Sequence, residues 1–233
     1  MTPLCSIVMT TYQRAPLLAK TLESIYAQRP PFDFEVIVVE DGDDGGETRS
    51  VVEWWPVIYL RRWLRPKMAY ANQGPVLQNG IRRARGEVLI LQNAECMHHG
   101  NVIEELVEPA TLHLGLAQFV SCRAYEQGVT PGSDSGYIWY CHGEHRPRPL
   151  FFCGAIRREH VEAVGGYPTC YPHYGSEDTE FADLLAERGL DFCWRDDIMV
   201  SHQWHPPSHT LVPDAWKQSQ QLYLLRRFLR TGA

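Results

Sequence analysis

The stretch Val36-Ile37-Val38-Val39-Glu40-Asp41-Gly42 decides the fold class. Its continuous apolar run is typical of a strand that is buried on both faces, as in a parallel sheet. The two acids follow where the carboxyl end of such a strand meets the ligand crevice of an open α/β sheet. Glu40 and Asp41 can bind the polar edge of a base or a ribose at that point. A solvated loop after a core strand is an equally good interpretation of this stretch alone.

The segments around this strand alternate between strand and helix patterns. The sequence predicts strands over residues 6–9, 35–39, 57–60 and 87–91, and helices over residues 15–28, 75–85 and 101–107. Pro30 and Pro31 are expected to end the first helix, and Pro109 the last. This alternation predicts an α/β fold with a doubly wound, mostly parallel sheet flanked by helices over about the first hundred residues.

The second half of the chain is less regular. Residues 128–149 are expected to form a long loop, which carries Tyr137, Trp139 and Tyr140. Further strands are predicted over residues 151–156 and 198–200, and a helix over residues 177–188.

A basic amphipathic helix is predicted over residues 214–230. One side of it carries the large apolar residues Trp216, Leu222, Leu225 and Leu229, and three arginines supply its charge: Arg226, Arg227 and Arg230. The apolar side is expected to pack against the core or a second copy of the chain. Peripheral attachment to an anionic membrane is the alternative.

The bulk composition narrows the function classes. The chain has 233 residues and a net charge of −6 without a long basic run, which argues against a nucleic-acid partner. We expect no signal peptide and no transmembrane helix, because no charged segment precedes an apolar one at the N-terminus and no 18 apolar residues run together. The seven cysteines include no CxxC pair, so free thiols and a cytoplasmic location are expected.

Polar residues recur at the ends of the predicted strands. Thr10-Thr11-Tyr12-Gln13-Arg14 ends the first strand and offers a tyrosine that can stack on a base, although an ordinary turn is favoured for this segment alone. Asn93 and Glu95 end the fourth strand, and their side-chain oxygens suit Mg²⁺ or Mn²⁺. A polar turn is the equally good alternative for this second pair.

Two later segments also carry candidate chemistry. Glu177 and Asp178 begin a helix, where acids and a capping Ser176 are ordinary. Alternatively Asp178 is a general base, whose anion the helix N-terminus would stabilise and so make weakly basic at rest. His202 and His205 follow the last strand, and a neutral imidazole can bind a metal, although either histidine alone is more often satisfied or exposed. His98 and His99 are expected to form a surface pair.

Taken in order, these segments resemble the inverting glycosyltransferases of the GT-A fold, in particular family 2, over about residues 4–205. The segments that carry the resemblance are Thr11-Tyr12-Gln13-Arg14, Glu40-Asp41-Gly42, Asn72-Gln73-Gly74, Asn79-Gly80-Ile81, Ala84-Arg85-Gly86-Glu87, Asn93-Ala94-Glu95, Gly165-Gly166-Tyr167-Pro168, Glu177-Asp178 and His202. The departure is Asn93, which stands where the family has the first aspartate of its Asp-x-Asp motif.

The resemblance implies one GT-A domain over residues 1–205, of the nucleotide-diphospho-sugar transferase, Rossmann-like type. Residues 1–100 would form its nucleotide-binding half, residues 101–205 its acceptor and catalytic half, and residues 206–233 a tail with the amphipathic helix. The expected reaction moves a sugar, with inversion, from a UDP-sugar or related donor to a hydroxyl of a glycan or another acceptor. A catalytically inactive module that binds a nucleotide sugar or a glycan is the alternative.

The same resemblance implies roles for individual residues. Asp178 would be the general base, with Glu177 the next candidate. Glu95 and His202 would hold Mn²⁺ or Mg²⁺ on the diphosphate, and should therefore approach each other in space. The residues implied to line the nucleotide site are Thr10, Thr11, Tyr12, Arg14, Glu40, Asp41, Asn72, Gly74, Asn79 and Asn93. Tyr137 and Trp139 could stack on an acceptor sugar or merely pack their loop onto the domain.

Overall fold

The computed structural model describes residues 2–62, 73–111, 118–126, 153–205 and 214–232. Their strands are β1 (Cys5–Thr11), β2 (Phe34–Asp41), β3 (Val57–Arg62), β4 (Val88–Asn93), β5 (Cys96–His99), β6 (Gln118–Glu126), β7 (Cys153–Arg157) and β8 (Asp191–His202). Their helices are α1 (Ala15–Tyr26), α2 (Glu47–Val52), α3 (Gln73–Arg83), α4 (Val102–Thr111), α5 (Arg158–Ala163), α6 (Glu177–Glu187) and α7 (Ala215–Thr231).

One eight-stranded sheet has the strand order β3-β2-β1-β4-β7-β6-β8-β5. The four strands β3, β2, β1 and β4 are parallel, as the alternation of the first hundred residues predicts. β7 then pairs antiparallel with both β4 and β6, β8 lies parallel to β6, and β5 lies antiparallel to β8. The predicted α/β fold class with a mostly parallel sheet flanked by helices is therefore confirmed.

Helices cover both faces of the parallel half of the sheet, which explains the apolar run Val36–Val39 within β2. Val36 and Val38 point into a core shared with α1, including Leu18 and Leu22. Ile37, together with Val39, points into a second core shared with α3 and α6, including Val76, Leu77, Ile81 and Phe181. Successive residues of a strand face opposite sides of the sheet. A strand between two apolar cores therefore carries apolar residues at consecutive positions instead of alternating ones.

Close packing of α3 on this sheet explains one of the glycines in the family-like motifs. A Cβ atom on Gly80 would lie 2.4 Å from a side-chain carbon of Val8 and 3.0 Å from one of Val39. A larger residue would therefore push α3 away from β1 and β2. Asn79, its neighbour, is exposed. Packing of the helix on the sheet thus explains the glycine of this Asn-Gly pair, and it does not depend on the side chain of Asn79.

Two sequence predictions about elements were wrong or incomplete, and four elements were not predicted. Helix α4 continues through Pro109 to Thr111. The carbonyl of Glu105, which Pro109 cannot pair with, accepts a hydrogen bond of 3.4 Å from Arg195 Nη1. The predicted strand of residues 198–200 is only the end of the 12-residue β8. Strands β5 and β6 and helices α2 and α5 were not predicted, and residues 128–149 with their aromatics lie outside the described residues.

The C-terminal helix α7 packs on α6, but not through the side that the sequence suggested. Tyr223 donates a hydrogen bond of 2.6 Å to Asp183. Arg226 and Arg230 both donate to the fully buried Glu180, at 2.8 and 2.5 Å. Two of the three arginines that supply the charge of this helix are therefore paired with an acid of the same chain.

The predicted apolar side of α7 is largely exposed, with Leu225 55% and Leu229 73% accessible. Contact of this side with a membrane or a second copy of the chain stays a prediction. In the part of the chain that the structure describes, no helix is both long and apolar enough to span a bilayer.

Candidate active site

The carboxyl ends of three neighbouring parallel strands bring the predicted polar residues to one edge of the sheet. Thr10 on β1 lies opposite Val39 on β2 and Asn93 on β4. Thr11 lies opposite Glu40, and Asp41 follows as the last residue of β2. This edge therefore collects hydroxyl, carboxylate and amide groups from segments that are far apart in the sequence.

Two further segments adjoin this edge. Tyr12 is half-buried just beyond β1, and Arg14 occupies the N-cap position of α1. Asn93 accepts a hydrogen bond of 3.3 Å from Gln73 Nε2 in the first turn of α3. Gly74, next in α3, is buried, whereas Asn72 lies outside the described residues.

The two acids at the end of β2 have partners on β3 that the sequence analysis did not select. Glu40 is buried and accepts a short hydrogen bond from Tyr59 and one of 3.1 Å from the backbone of Asp44. Burial raises the pKa of Glu40, while the hydrogen bond from Tyr59 opposes that rise. Asp41 Oδ1 lies 3.9 Å from Arg62 Nη1. Tyr59 and Arg62 face these acids because β3 pairs in parallel register with β2.

Glu95 lies at the turn between β4 and β5, and the turn faces the end of β8. Antiparallel pairing places Cys96 opposite His202, and Gln203 donates its backbone N–H to the carbonyl of Glu95 at 2.9 Å. His202 Nε2 then lies 3.5 Å from Glu95 Oε1. The prediction that Glu95 and His202 approach each other is confirmed.

His205, which the family resemblance did not place at the metal, is a member of the same cluster. Its Nε2 atom donates to Glu95 Oε1 at 3.1 Å. The spacing His202-x-x-His205 was the available signal, but nothing local showed that both rings would turn toward one carboxylate. Ligand atoms of Glu95, His202 and His205 all lie within 4.8 Å of one another. One carboxylate and two imidazoles suit a divalent transition-metal ion such as Mn²⁺, so these residues fit the metal that the resemblance implies.

Glu95 is held as an anion by its neighbours. Burial by itself disfavours the charged form, but hydrogen bonds from His202 and His205 and the positive charge of Arg14 hold the pKa of Glu95 well below its usual range. Arg14 Nη1 contacts the same Oε1 oxygen at 2.8 Å. Arg14, expected at the nucleotide, therefore contacts the acidic member of the cluster in this structure.

The histidines just beyond Glu95 do not form the surface pair that was expected. His98 is buried, and its Nδ1 accepts a hydrogen bond of 2.9 Å from Gln28 while its Nε2 donates one of 2.8 Å to Gln92. Burial lowers the pKa of His98 to about 3, so the ring is neutral. His98 thereby connects β4 and β5, which flank the Glu95 turn, to the segment just beyond α1. Only His99 is exposed.

The second acidic centre is the start of α6. Gly175 and Ser176 both have positive φ, at 96° and 71°, and Ser176 makes no side-chain capping hydrogen bond. Ser176 therefore occupies the expected N-cap position of α6, but its side chain does not form the capping hydrogen bond that is usual there. Asp178 accepts a hydrogen bond of 2.7 Å from the backbone N–H of Thr179. Glu177 is 6% exposed, and its Oε2 atom has no hydrogen-bond partner among the described residues.

Burial, rather than the helix terminus, sets the acidity of these two carboxyls. Burial and the nearby charge of Asp178 raise the pKa of Glu177 to about 8. Burial also raises the pKa of Asp178, against the hydrogen bonds from Thr179. The expectation that the helix N-terminus makes Asp178 a weaker base is thus wrong in sign, because desolvation outweighs the helix dipole here. A carboxylate in such surroundings gains proton affinity.

The Gly165-Gly166-Tyr167 segment positions this centre against the sheet. Tyr167 donates its backbone N–H to Gln78 Oε1 of α3 at 2.6 Å, and its buried ring lies 4.9 Å from that of Phe181 in α6. A Cβ atom on Gly166 would lie 2.6 Å from the Gln78 amide. The segment therefore connects α3, which borders the strand-end edge, to the helix that carries Glu177 and Asp178.

Comparisons with known proteins agree with this architecture. The model of glycosyl transferase family 2 matches residues 6–149, and the model described as N-terminal domain of galactosyltransferase matches residues 149–205. The chain is 23% identical to the uncharacterized glycosyltransferase YfnE of Bacillus subtilis (strain 168), over 90% of this chain and 67% of that protein. It is 22% identical to chondroitin synthase of Escherichia coli, over 87% of this chain and 35% of that protein.

Solved structures show the same fold. The mannosyltransferase PcManGT from Pyrobaculum calidifontis, in complex with GDP-Man and Mn²⁺, superposes with a TM-score of 0.66 and 20% identity over 99% of this chain and 64% of that one. S. aureus TarS 1–349 superposes with a TM-score of 0.65 and 12% identity over 96% and 65%. This chain thus spans about two thirds of each neighbour's length. The family resemblance, the GT-A fold and the glycosyltransferase class expected from the sequence are confirmed, and the chain belongs to glycosyl transferase family 2.

Proposed function

We propose that this chain transfers a sugar from a nucleoside-diphosphate sugar to an acceptor hydroxyl, with inversion at the anomeric carbon and Asp178 as the general base. The observation that carries the proposal is the coexistence of two differently tuned acidic centres. Glu95 is held ionised among Arg14, His202 and His205, whereas Glu177 and Asp178 have raised pKa values. The first centre suits the binding of a cation, and the second suits the uptake of a proton.

The donor would lie along the carboxyl edge of β2, β1 and β4. Thr10, Thr11, Tyr12, Glu40 and Asp41 would contact its nucleoside, with Asn93 near the ribose or the diphosphate. Gly74 and Asn79, together with Asn72 outside the described residues, remain candidates from the resemblance for the same site. PcManGT was solved with GDP-Man, so a guanosine donor is tested beside the uridine donor that we propose first.

A divalent cation, Mn²⁺ or Mg²⁺, bound by Glu95, His202 and His205 would neutralise charge on the departing diphosphate as a Lewis acid. Asp178 would accept the proton of the acceptor hydroxyl while the acceptor oxygen forms its bond to the anomeric carbon. The bond from that carbon to the diphosphate oxygen breaks in the same displacement, and the diphosphate leaves with the electron pair. A single displacement inverts the configuration. Glu177, whose pKa is about 8, would be largely protonated near neutral pH and so is the second candidate for the base.

A catalytically inactive module that only binds a nucleotide sugar or a glycan is the alternative. The observation that favours it is Asn93, an amide where family members have an acid. The two proposals separate in one experiment. The purified chain is incubated with a panel of UDP- and GDP-sugars and Mn²⁺, with and without EDTA, and released nucleoside diphosphate is measured. Release that stops with EDTA and falls in Asp178→Asn supports the enzyme, whereas donor binding without release supports the module.

A further inference from the structure

Arg14 contacts the atom that a metal ion would also need. Its Nη1 atom lies 2.8 Å from Glu95 Oε1, and the same oxygen faces His205 Nε2 at 3.1 Å and His202 Nε2 at 3.5 Å. The side chains of Arg14 and Glu95 are only 17% and 10% exposed, so water screens this contact weakly. Three donors thus converge on one carboxylate oxygen.

A cation bound by Glu95, His202 and His205 would lie next to this guanidinium. The two positive charges would repel each other, and Glu95 is the one acid among the three side chains that would hold the cation. Asn93, two residues before Glu95, supplies no second negative charge. The contact between Arg14 and Glu95 therefore opposes metal binding for as long as it persists.

A bound donor would offer Arg14 a second partner. It follows Thr10, Thr11 and Tyr12 at the end of β1, on the edge where the donor diphosphate would lie. A guanidinium binds phosphate oxygens through two parallel hydrogen bonds, and it does so better than an ammonium group. Loss of the Glu95 contact can therefore be compensated when a diphosphate is present.

We propose that Arg14 couples metal binding to diphosphate binding at this site. Without a nucleotide, Arg14 holds Glu95 and weakens its affinity for the cation. When a nucleoside diphosphate binds, Arg14 moves to the phosphate oxygens and releases Glu95 to the cation. The inference rests on the proposed function, because it requires both ligands to share this site. Since such coupling is reciprocal, the cation must strengthen diphosphate binding by the same factor.

The test is the affinity for Mn²⁺ alone, followed by the electron paramagnetic resonance signal of free Mn²⁺, in the unaltered chain and in Arg14→Gln. We expect Arg14→Gln to bind Mn²⁺ alone more tightly, by roughly fivefold or more, which is the lower range of typical allosteric couplings. Adding UDP or GDP should tighten Mn²⁺ binding in the unaltered chain and do so much less in Arg14→Gln. A protein-free titration corrects for Mn²⁺ that binds the nucleotide in solution.

Matched variants make the outcomes decisive. Arg49→Gln breaks an exposed ion pair with Glu53, and it should leave the affinity for Mn²⁺ unchanged both without and with UDP or GDP. Arg14→Lys keeps the charge but loses the fork, so its Mn²⁺ affinity should lie between those of the unaltered chain and Arg14→Gln, and it serves as the test if Arg14→Gln does not fold. Equal or weaker Mn²⁺ binding in the folded Arg14 variants overturns the inference.

Glu95→Gln separates this inference from the proposed function. If Glu95→Gln abolishes Mn²⁺ binding while Arg14→Gln binds like the unaltered chain, the metal site stands and only the role of Arg14 fails. If neither the unaltered chain nor any folded variant binds Mn²⁺, with or without a nucleotide, the proposed metal site fails and the inference fails with it.

Discussion

Glu95 and Glu177 are similarly buried, at 7% and 6% exposure, yet the protein shifts the pKa values of these two acids in opposite directions. Glu95 faces a guanidinium and two imidazoles, all within 3.5 Å of one oxygen. Glu177 and Asp178 are consecutive in α6, where the charge of Asp178 acts on Glu177, and among the described residues neither forms an ion pair with a basic side chain. The pKa of Glu95 is accordingly held down and that of Glu177 is raised to about 8.

The difference shows that neighbours, and not residue type or depth, decide what a buried carboxyl can do. Desolvation raises the pKa in both centres, but only at Glu95 do positive neighbours overcome it. A carboxylate that stays ionised at every physiological pH is suited to hold a cation. A carboxyl whose pKa lies near neutral pH is suited to exchange protons. Pairs of acids tuned apart in this way are typical of sites that combine both tasks.

The largest expected effect comes from removing the proton acceptor. Asp178→Asn keeps the size of the side chain and can still accept the hydrogen bond from Thr179, but it cannot take up the acceptor proton. We expect sugar transfer to fall by roughly 10²–10⁴-fold while donor binding is retained. Transfer rates measured beside those of the exposed control Asp191→Asn check this. A folded Asp178→Asn that transfers at nearly the original rate would move the base to another residue, with Glu177 first.

The matching change in the other centre removes a proposed metal ligand, and it should also lower the stability of the fold. Glu95→Gln leaves the guanidinium of Arg14 without its acid in a shielded site, which typically costs about 3–5 kcal/mol of unfolding free energy. The exposed pair of Arg49 and Glu53 provides the control, since Glu53→Gln should cost at most about 1 kcal/mol. Denaturant unfolding of both variants measures the difference.

The pH dependence gives an independent check on Glu95. Because the folded protein lowers its pKa from the ordinary 4.5, its contribution is fully present above pH 4.5 and declines as the pH falls further. The gap between Glu95→Gln and the unaltered chain should therefore narrow only in acid. Equal stabilities of Glu95→Gln and Glu53→Gln at pH 7 would mean that the cluster contributes nothing to the fold.

The sequence predicted the position of the Glu95 centre better than the acidity of Glu177 and Asp178. Strand ends are a local signal, because an apolar run followed by polar residues marks the carboxyl edge of a parallel sheet, as at Val39 to Asp41. The approach of Glu95 to His202 followed from the order of the family-like motifs. Most of strand β8 was not predicted, because Arg195, Asp196 and Asp197 interrupt its apolar pattern. The strand also depends on pairing with β6, which is distant in the sequence and leaves no local signal.

The partners of the buried groups could not be derived from local patterns. Arg14 contacts Glu95 across 81 positions of the sequence. His205 contacts the same acid across 110 positions. His98 was expected at the surface, but its burial depends on Gln28 and Gln92, which only the folded sheet brings to its ring. At α6 a sound local rule gave the wrong sign, because burial of Glu177 and Asp178 outweighs the helix terminus.

A smaller effect is expected from removing the ionisation of Glu177. The folded protein raises its pKa from 4.5 to about 8, so the stability that the neutral acid contributes is fully present below pH 4.5 and is lost as the pH rises through 8. Glu177→Gln is neutral at every pH and should therefore melt above the unaltered chain at pH 8.5, by about 2–4 °C for each kcal/mol of relief. Near pH 4.5 the two should melt together.

Thermal melts across pH 4.5–9 measure this difference, and Asp178→Asn is the matched control. Without the charge of Asp178, the pKa of Glu177 should fall, so that variant should lose less stability between neutral and alkaline pH than the unaltered chain does. A constant difference between Glu177→Gln and the unaltered chain over the whole range would contradict a raised pKa and remove the contrast with Glu95.

The smallest expected effect tests whether the Glu95 centre is short of negative charge. Asn93→Asp restores an acid two residues before Glu95, and its carboxylate can still accept the hydrogen bond from Gln73. An added charge at the protein surface strengthens the attraction for a nearby cation by about 1 kcal/mol, which corresponds to roughly fivefold in affinity. Mn²⁺ titration of the chain without nucleotide, at two salt concentrations, measures this. The gain should shrink at high salt, because the added charge lies at an accessible edge. Unchanged affinity at low salt would mean that the amide of Asn93 does not limit metal binding and that the contact between Arg14 and Glu95 is the stronger constraint.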